Sequence, residues 1–328
     1  MAGRVLASAR NVAMVLEAYR PQLEAAGLEV VFPDTPAVTL DEEQLLRLLP
    51  GCVAAVAMPD AYTERVIAAC APELKLIARS GVGYDSIDVA AARRHRVWVT
   101  TTVGSNHDAV ADFTLGLILD LARHISQIAA MTKAGEWKRV AGVELRGKTL
   151  GIVGTGRVGR EVAARAAAFG MRLVAHDLMP DETWAAGAGV TYLPLDTLLG
   201  QADVITLHAP ATAETRHLLD APALARCKPG VYVVNTARGE LIDEAALLAA
   251  LESGQAGGAA LDVFDAEPPG AAQEALIGHP HVIATSHCAG AAVEAQRRAA
   301  EMALEEVLRV VRGERPRFPV PELAAAGT

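Results

Sequence analysis

Leu150-Gly151-Ile152-Val153-Gly154-Thr155-Gly156-Arg157-Val158-Gly159 reads as a strand that ends in a tight turn and opens directly into a helix. Each glycine in it has a separate physical task. Gly154 permits the turn, Gly156 lets the backbone approach a bulky anion, and Gly159 lets the helix pack closely on the strand. The start of the following helix, which runs on through Glu161–Phe169, then presents unpaired N–H groups to that anion. A second β-rich run ends at Asp177, eighteen residues past Gly159. That is close to the roughly 20 residues expected for a carboxylate that binds ribose hydroxyls. No arginine follows in Leu178-Met179-Pro180 to neutralise a 2′-phosphate. The stretch therefore predicts a dinucleotide site, and NAD rather than NADP as the cofactor.

On either side of this stretch, strand-like runs alternate with amphipathic ones. Before it lie Arg4–Ala7, Leu28–Phe32, Val53–Ala57, Lys75–Ala78 and Val97–Thr100, with helical patterns such as Asp41–Leu49 and Thr63–Cys70 between them. From it onward come Thr149–Val153, Arg172–His176, Val204–His208, Val231–Asn235, Gly258–Val263 and Val282–Thr285. Repeated β-then-α units predict parallel sheets covered by helices on both faces. A single long helix is expected from about Asn106 to Thr132, stopped by Gly135, and a last one over about Ala291–Val311, stopped by Gly313. The fold class is α/β, with two doubly wound parallel-sheet domains. A chain of 328 residues exceeds the comfortable size of one core.

Composition narrows the function. Aromatics are 4% of the chain, so the core is built from Ala, Val, Leu and Ile, as suits parallel sheets. A net charge of −9 offers no basic face and argues against nucleic acid. No apolar run approaches the roughly 20 residues that span a bilayer, and the N-terminus lacks a secretory pattern, so a cytoplasmic protein with no membrane partner is expected. Cys52, Cys70, Cys227 and Cys288 are scattered without a C-x-x-C pair, so no metal site is expected.

Three later segments place polar groups at or just beyond strand ends, where open α/β sheets bind ligands. They are Asn235-Thr236-Ala237-Arg238-Gly239, Leu261-Asp262-Val263-Phe264-Asp265-Ala266-Glu267-Pro268 and Thr285-Ser286-His287-Cys288-Ala289-Gly290. Reducing a 2-oxo acid needs a fixed cation for its carboxylate and a proton donor for its carbonyl oxygen. An arginine fork supplies the first and an imidazole the second. A glutamate bonded to that imidazole favours its protonated form.

On these motifs, together with Arg79-Ser80-Gly81-Val82-Gly83-Tyr84-Asp85-Ser86-Ile87-Asp88, the chain resembles the D-isomer-specific 2-hydroxyacid dehydrogenase family over nearly its full length. Its motifs lean towards phosphoglycerate dehydrogenase-like members without a regulatory domain. The resemblance implies a Rossmann NAD domain over 102–289 and a flavodoxin-like substrate domain made of 1–101 and 290–328. It implies an NAD-dependent dehydrogenase that transfers a hydride between the nicotinamide and C2 of a small 2-hydroxy or 2-oxo acid. Arg238 would bind the carboxylate, Glu267 would orient the imidazole and His287 would be the acid/base. Arg157 and Val158 would meet the pyrophosphate, and His208, Ala209, Pro210, Thr236 and Ala237 would line the cofactor cleft. Asp262 would hold the carboxamide, and the loop Arg79, Ser80, Gly81, Val82, Gly83 would contact the substrate. The 108–132 helix would build a homodimer.

This sequence departs from the family's pattern at Ser286, where proline usually precedes the histidine, and at Asp112, where glutamate is common. An arginine expected near Val56-Ala57 for a substrate phosphate is missing. 3-Phosphoglycerate is thus one alternative substrate against an unphosphorylated acid. A non-catalytic NAD-sensing scaffold or corepressor of the same fold is the rival reading, and formate dehydrogenase a lesser one, disfavoured by Glu267 where glutamine is expected.

Overall fold

A computed structural model describes residues 3–35 and 39–324; the outermost ends of the expected substrate domain lie outside the described residues. The chain divides into two compact units, one made of residues 1–106 with 291–328, the other of residues 107–290.

In the first unit, β1 (Gly3–Ala7), β2 (Leu28–Val31), β3 (Cys52–Ala57), β4 (Leu76–Arg79) and β5 (Trp98–Thr101) form a parallel sheet in the order β2-β1-β3-β4-β5. Burial on both faces explains why β3 reads Cys-Val-Ala-Ala-Val-Ala with no polar residue. The period of two sorts the side chains. Leu6, Ala55 and Ile77 pack with Leu45, Val66 and Ile67, from the helices Glu42–Leu48 and Glu64–Cys70. Val5, Ala54, Val56 and Leu76 pack against Ala300, Ala303, Leu304 and Val307 of the helix Val293–Val311. Asp41 and Thr63 cap the first two of these helices by accepting from Gln44 and Val66 N–H.

The second unit holds β6 (Thr149–Val153), β7 (Arg172–His176), β8 (Val190–Tyr192), β9 (Val204–Leu207), β10 (Val231–Asn235), β11 (Ala256–Leu261) and β12 (Val282–Ala284). Their order is β12-β11-β10-β9-β6-β7-β8, and every pairing is parallel. The chain winds one way from β6 to β8, then restarts at β9 and winds the other way. This reversal opens a crevice beyond the carboxyl ends of β6 and β9, the general ligand position in such sheets. The expectation of six strands missed β8, a three-residue edge strand too short to carry a periodic signal.

The expected single helix to Thr132 is two. One spans His107–Arg123 and the other Ile125–Lys133, with His124 between them at φ 54°. A continuous helix would bond Ser126 N–H to the Ala122 carbonyl. Here both groups are taken: Ser126 N–H donates to Asp120 Oδ1 at 2.7 Å, and the Ala122 carbonyl accepts from Val143 N–H at 2.8 Å. Apolar spacing runs through the break, so the pattern alone could not show it. The first helix is bound to its neighbour, Arg157–Ala168, by Arg165, whose guanidinium meets Asp108, Asp112 and Glu161 at 2.6–3.1 Å. Asp112 thus finds a partner despite its departure from the family's glutamate.

Candidate active site

The fingerprint glycines follow their separate tasks. A Cβ on Gly159 would sit 2.1 Å from the Gly154 carbonyl oxygen, so only glycine lets this helix lie against the turn. Gly154 has φ +93°, and a Cβ there would lie 2.7 Å from the backbone of His208 and Ala209 across the crevice. Gly156 differs: a Cβ there would meet nothing within 4 Å. Glycine at 156 therefore answers no demand of protein packing, and it starts a twelve-residue helix whose N-terminus has no side-chain cap. An open cradle facing uncapped N–H groups, beginning with Arg157 and Val158, fits a diphosphate. The residues present fit a dinucleotide.

Asp177 stands at the end of β7. Its Oδ2 accepts from the N–H and the hydroxyl of Thr155 at 2.6 and 2.9 Å, and its Oδ1 from Met179 N–H at 2.9 Å. Partial burial opposes ionisation, but these donors outweigh it and hold the carboxyl below its ordinary value. Across the crevice, desolvation pushes the His208 imidazole down to about 3, so it is neutral, with Nε2 2.9 Å from Thr206 Oγ1. Thr236 Oγ1 lies 3.0 Å from Thr114 Oγ1, which itself donates to the Val110 carbonyl.

Glu267 and His287 meet. Nδ1 of the imidazole lies 2.6 Å from Glu267 Oε2, and Glu267 Oε1 accepts from Phe264 N–H at 3.1 Å. The hydrogen bond to Glu267 raises the His287 pKa, against desolvation; the glutamate's charge adds to the rise and Arg238 opposes it. Desolvation works against the Glu267 carboxylate, yet the His287 bond and charge, Phe264 N–H and Arg238 together bring its pKa below the ordinary value. Arg238 is thus near enough to act on both partners. Its backbone is fixed by Asn235, whose Nδ2 donates to the Arg238 carbonyl at 2.7 Å and whose Oδ1 accepts from Ala237 N–H at 3.0 Å. Gly239 presses this turn onto the next loop, since a Cβ there would fall 2.0 Å from the Phe264 carbonyl carbon. Asn235 and Gly239 were quoted in the motif without a role; their part in holding Arg238 against the glutamate loop emerges only from the packing.

Asp262 has a task that sequence reading did not assign. It is buried, and its carboxylate accepts from Thr285 Oγ1 at 2.6 Å, Cys288 N–H at 2.9 Å and Ala289 N–H at 2.8 Å. Its backbone carbonyl also accepts from His287 N–H at 2.8 Å, so Asp262 shapes the loop that carries the imidazole. Ser286, where the family usually has proline, is exposed on that loop. Desolvation and the Asp262 charge push the Cys288 thiol up, which keeps it protonated and a poor nucleophile.

In the first unit, the 79–83 loop follows β4. Ser80 N–H donates to the Ala57 carbonyl at 2.9 Å, and the Ser80 hydroxyl accepts from Asn11 Nδ2 at 2.9 Å. Arg79 folds back so that Nη1 donates to the Ser80 carbonyl at 2.6 Å. Val82 is exposed. Among the described residues, His107, Asp108 and Glu161 are close enough to share a metal ion, but Arg165 already pairs with both carboxylates. No helix among them is long and apolar enough to cross a membrane.

Residues 115–289 match the model of the D-isomer specific 2-hydroxyacid dehydrogenase NAD binding domain. D-3-phosphoglycerate dehydrogenase of Rattus norvegicus is 41% identical over 90% of this chain and 54% of its own length. The chain therefore spans about half the length of that relative. Hydroxypyruvate reductase of Thermotoga maritima is 40% identical over 82% of this chain and 88% of its own. D-lactate dehydrogenase of Aquifex aeolicus, solved as a complex with NAD and lactic acid, superposes with a TM-score of 0.82 at 28% identity, covering 95% of this chain and 96% of that one. A glycine turn at an uncapped helix N-terminus, a carboxylate after the second strand and a paired imidazole thus stand on a sheet whose sequence and topology have close relatives, and the chain belongs to the D-isomer specific 2-hydroxyacid dehydrogenase family, with residues 115–289 as its NAD-binding domain.

Proposed function

We propose that this protein is an NAD-dependent dehydrogenase that interconverts small D-2-hydroxy acids and 2-oxo acids. The observation that carries the reading is the 2.6 Å contact between His287 Nδ1 and Glu267 Oε2, with the Arg238 cation acting on both. A carboxylate only accepts, so Nδ1 must be the donor in this contact. That leaves Nε2 to exchange a proton with substrate. In reduction, His287 as imidazolium gives the Nε2 proton to the carbonyl oxygen; in oxidation, neutral Nε2 takes the hydroxyl proton. Arg238 pairs with the substrate carboxylate and orients C2. The bound nicotinamide supplies or accepts the hydride.

The first unit is proposed as the substrate domain, with the 79–83 loop giving further contacts to the acid. Among substrates, a small unphosphorylated acid is preferred over 3-phosphoglycerate. Ala57 ends β3 where a phosphate-binding arginine was expected, and the hydroxypyruvate reductase is matched over most of its length. A homodimer is proposed through the Ile125–Lys133 helix and the segment after it, where no helix residue is buried and Ile125 and Trp137 stand exposed. A steady-state screen of NADH oxidation with glyoxylate, pyruvate, hydroxypyruvate and 3-phosphohydroxypyruvate tests the reading. Turnover of at least one is expected. NADH binding without turnover of any 2-oxo acid would instead support the scaffold.

A further inference from the structure

The carboxylate of Asp177 ends a chain of hydrogen bonds whose direction is forced by chemistry. An ionised carboxylate offers no hydrogen, so the Thr155 hydroxyl must spend its only one on Asp177 Oδ2, at 2.9 Å. The Thr155 oxygen is then an acceptor, and Tyr192, 2.7 Å away, must donate to it. The Tyr192 oxygen in turn accepts from Asp181 N–H at 3.2 Å. The run from Asp181 through Tyr192 and Thr155 to Asp177 is polarised one way, and each bond strengthens the next.

The outcome at Asp177 is asymmetric. Oδ2 is filled by two donors from Thr155, while among the described residues Oδ1 has only Met179 N–H, at 2.9 Å, and keeps a lone pair for a ligand. Meanwhile Arg160, a cation bonded into this network, is already engaged. Arg160 donates from Nε to the Thr155 carbonyl and from Nη2 to Asp181, both at 2.9 Å, and its guanidinium lies 4.8 Å from the centre of the Trp184 ring.

We propose that Thr155 and Tyr192 are positioning residues that set the dinucleotide preference. They lock Asp177 so that its one open oxygen can take a ribose hydroxyl and cannot swing away from a 2′-phosphate. Arg160, tied to Asp181 and Trp184, is withheld from neutralising that phosphate. A rotating carboxylate would tolerate both dinucleotides; a braced one discriminates. The inference rests on the NAD reading of this site.

Direct binding tests it, by protein fluorescence or calorimetry with NADH and NADPH, before any turnover is measured. Thr155→Val keeps the backbone N–H and the shape but removes the hydroxyl. It is expected to weaken NADH binding about tenfold, the weight of one hydrogen bond to a charged group, while NADPH changes less, so that the ratio of the two narrows. Tyr192→Phe should narrow the ratio in the same direction by a smaller factor, and Thr155→Ser should keep the wild-type ratio. If the Val and Phe variants hold the wild-type NADH-to-NADPH ratio, whether both affinities fall together or neither moves, the brace is merely structural and the proposal is overturned. A Ser variant as altered as the Val variant overturns it equally. A wild-type protein that binds neither dinucleotide would instead sink the cofactor reading itself.

Discussion

The imidazole of His287 is held by a carboxylate that is itself held by a backbone N–H, so a change at position 267 alters the charge of the imidazole first. With its pKa raised by Glu267, the imidazolium persists to higher pH than in a free histidine. Oxidation of a hydroxy acid needs the neutral ring, so kcat/KM in that direction should rise as pH climbs through the raised pKa. Glu267→Gln removes the anion. The midpoint of that rise should move to lower pH, with kcat/KM falling about tenfold to a hundredfold; a pH–rate profile whose midpoint stays in place would contradict the pairing. The same pair ties stability to pH. The His287 contribution is full below the unfolded imidazole value and is lost as pH rises through its raised pKa. The Glu267 contribution is full above the unfolded carboxylate value and is lost as pH falls through its lowered pKa. Both are present together between about pH 4.3 and 6.5. Arg238→Ala should reduce kcat/KM roughly a hundredfold, or about 2–3 kcal/mol, with the NADH Kd unchanged, since the proposed partner is the substrate carboxylate. Near-normal turnover with weakened NADH binding would reverse that assignment. Arg238, Glu267 and His287 were nameable as candidates because each lies in a short run at or just beyond a strand end, where open α/β sheets bind ligands. Thr155 and Tyr192 were not, because 37 residues separate two hydroxyls that acquire meaning only side by side.

The strands and most helices follow directly from the alternation of apolar runs, because parallel strands buried on both faces leave an unbroken apolar signature. The exceptions have local causes. β8 is too short to show a period, and the kink at His124 is imposed by Val143, nineteen residues downstream, which captures the Ala122 carbonyl that would have continued the helix. The fingerprint helix offers the sharpest test at this scale. Gly159→Ala puts a methyl 2.1 Å from the Gly154 carbonyl oxygen, where neither partner is a flexible side chain. The helix must shift away from the turn. The cost should reach about 1–3 kcal/mol, read as a lower denaturant midpoint, and NADH binding should weaken with it. An alanine variant with unchanged midpoint and unchanged NADH affinity would show that the close approach is dispensable.

At the scale of the whole molecule, sequence reading foresaw two α/β bodies, but it left the bearing surface of a dimer on a helix that turns out to be divided. The His107–Arg123 helix buries Ala111, Leu115, Ile118 and Ala122 in its own core, whereas Ile125 and Trp137 beyond the break are 54% and 91% exposed. If this exposed stretch carries the proposed dimer, Ile125→Glu combined with Trp137→Ser should yield a particle of one chain's mass by light scattering. A double variant that still runs as the wild-type species would place the contact elsewhere. One more property follows from how the first unit is assembled. Its sheet is complete by Thr101, yet one face is closed by the helix Val293–Val311, which leaves the ribosome nearly two hundred residues later. At about 5–20 residues per second, that apolar surface waits on the order of ten seconds or more for its cover. The second unit, encoded without interruption between the two pieces, can finish first. The apolar face of the first sheet is therefore the surface that stays longest without its partner while the chain is being made.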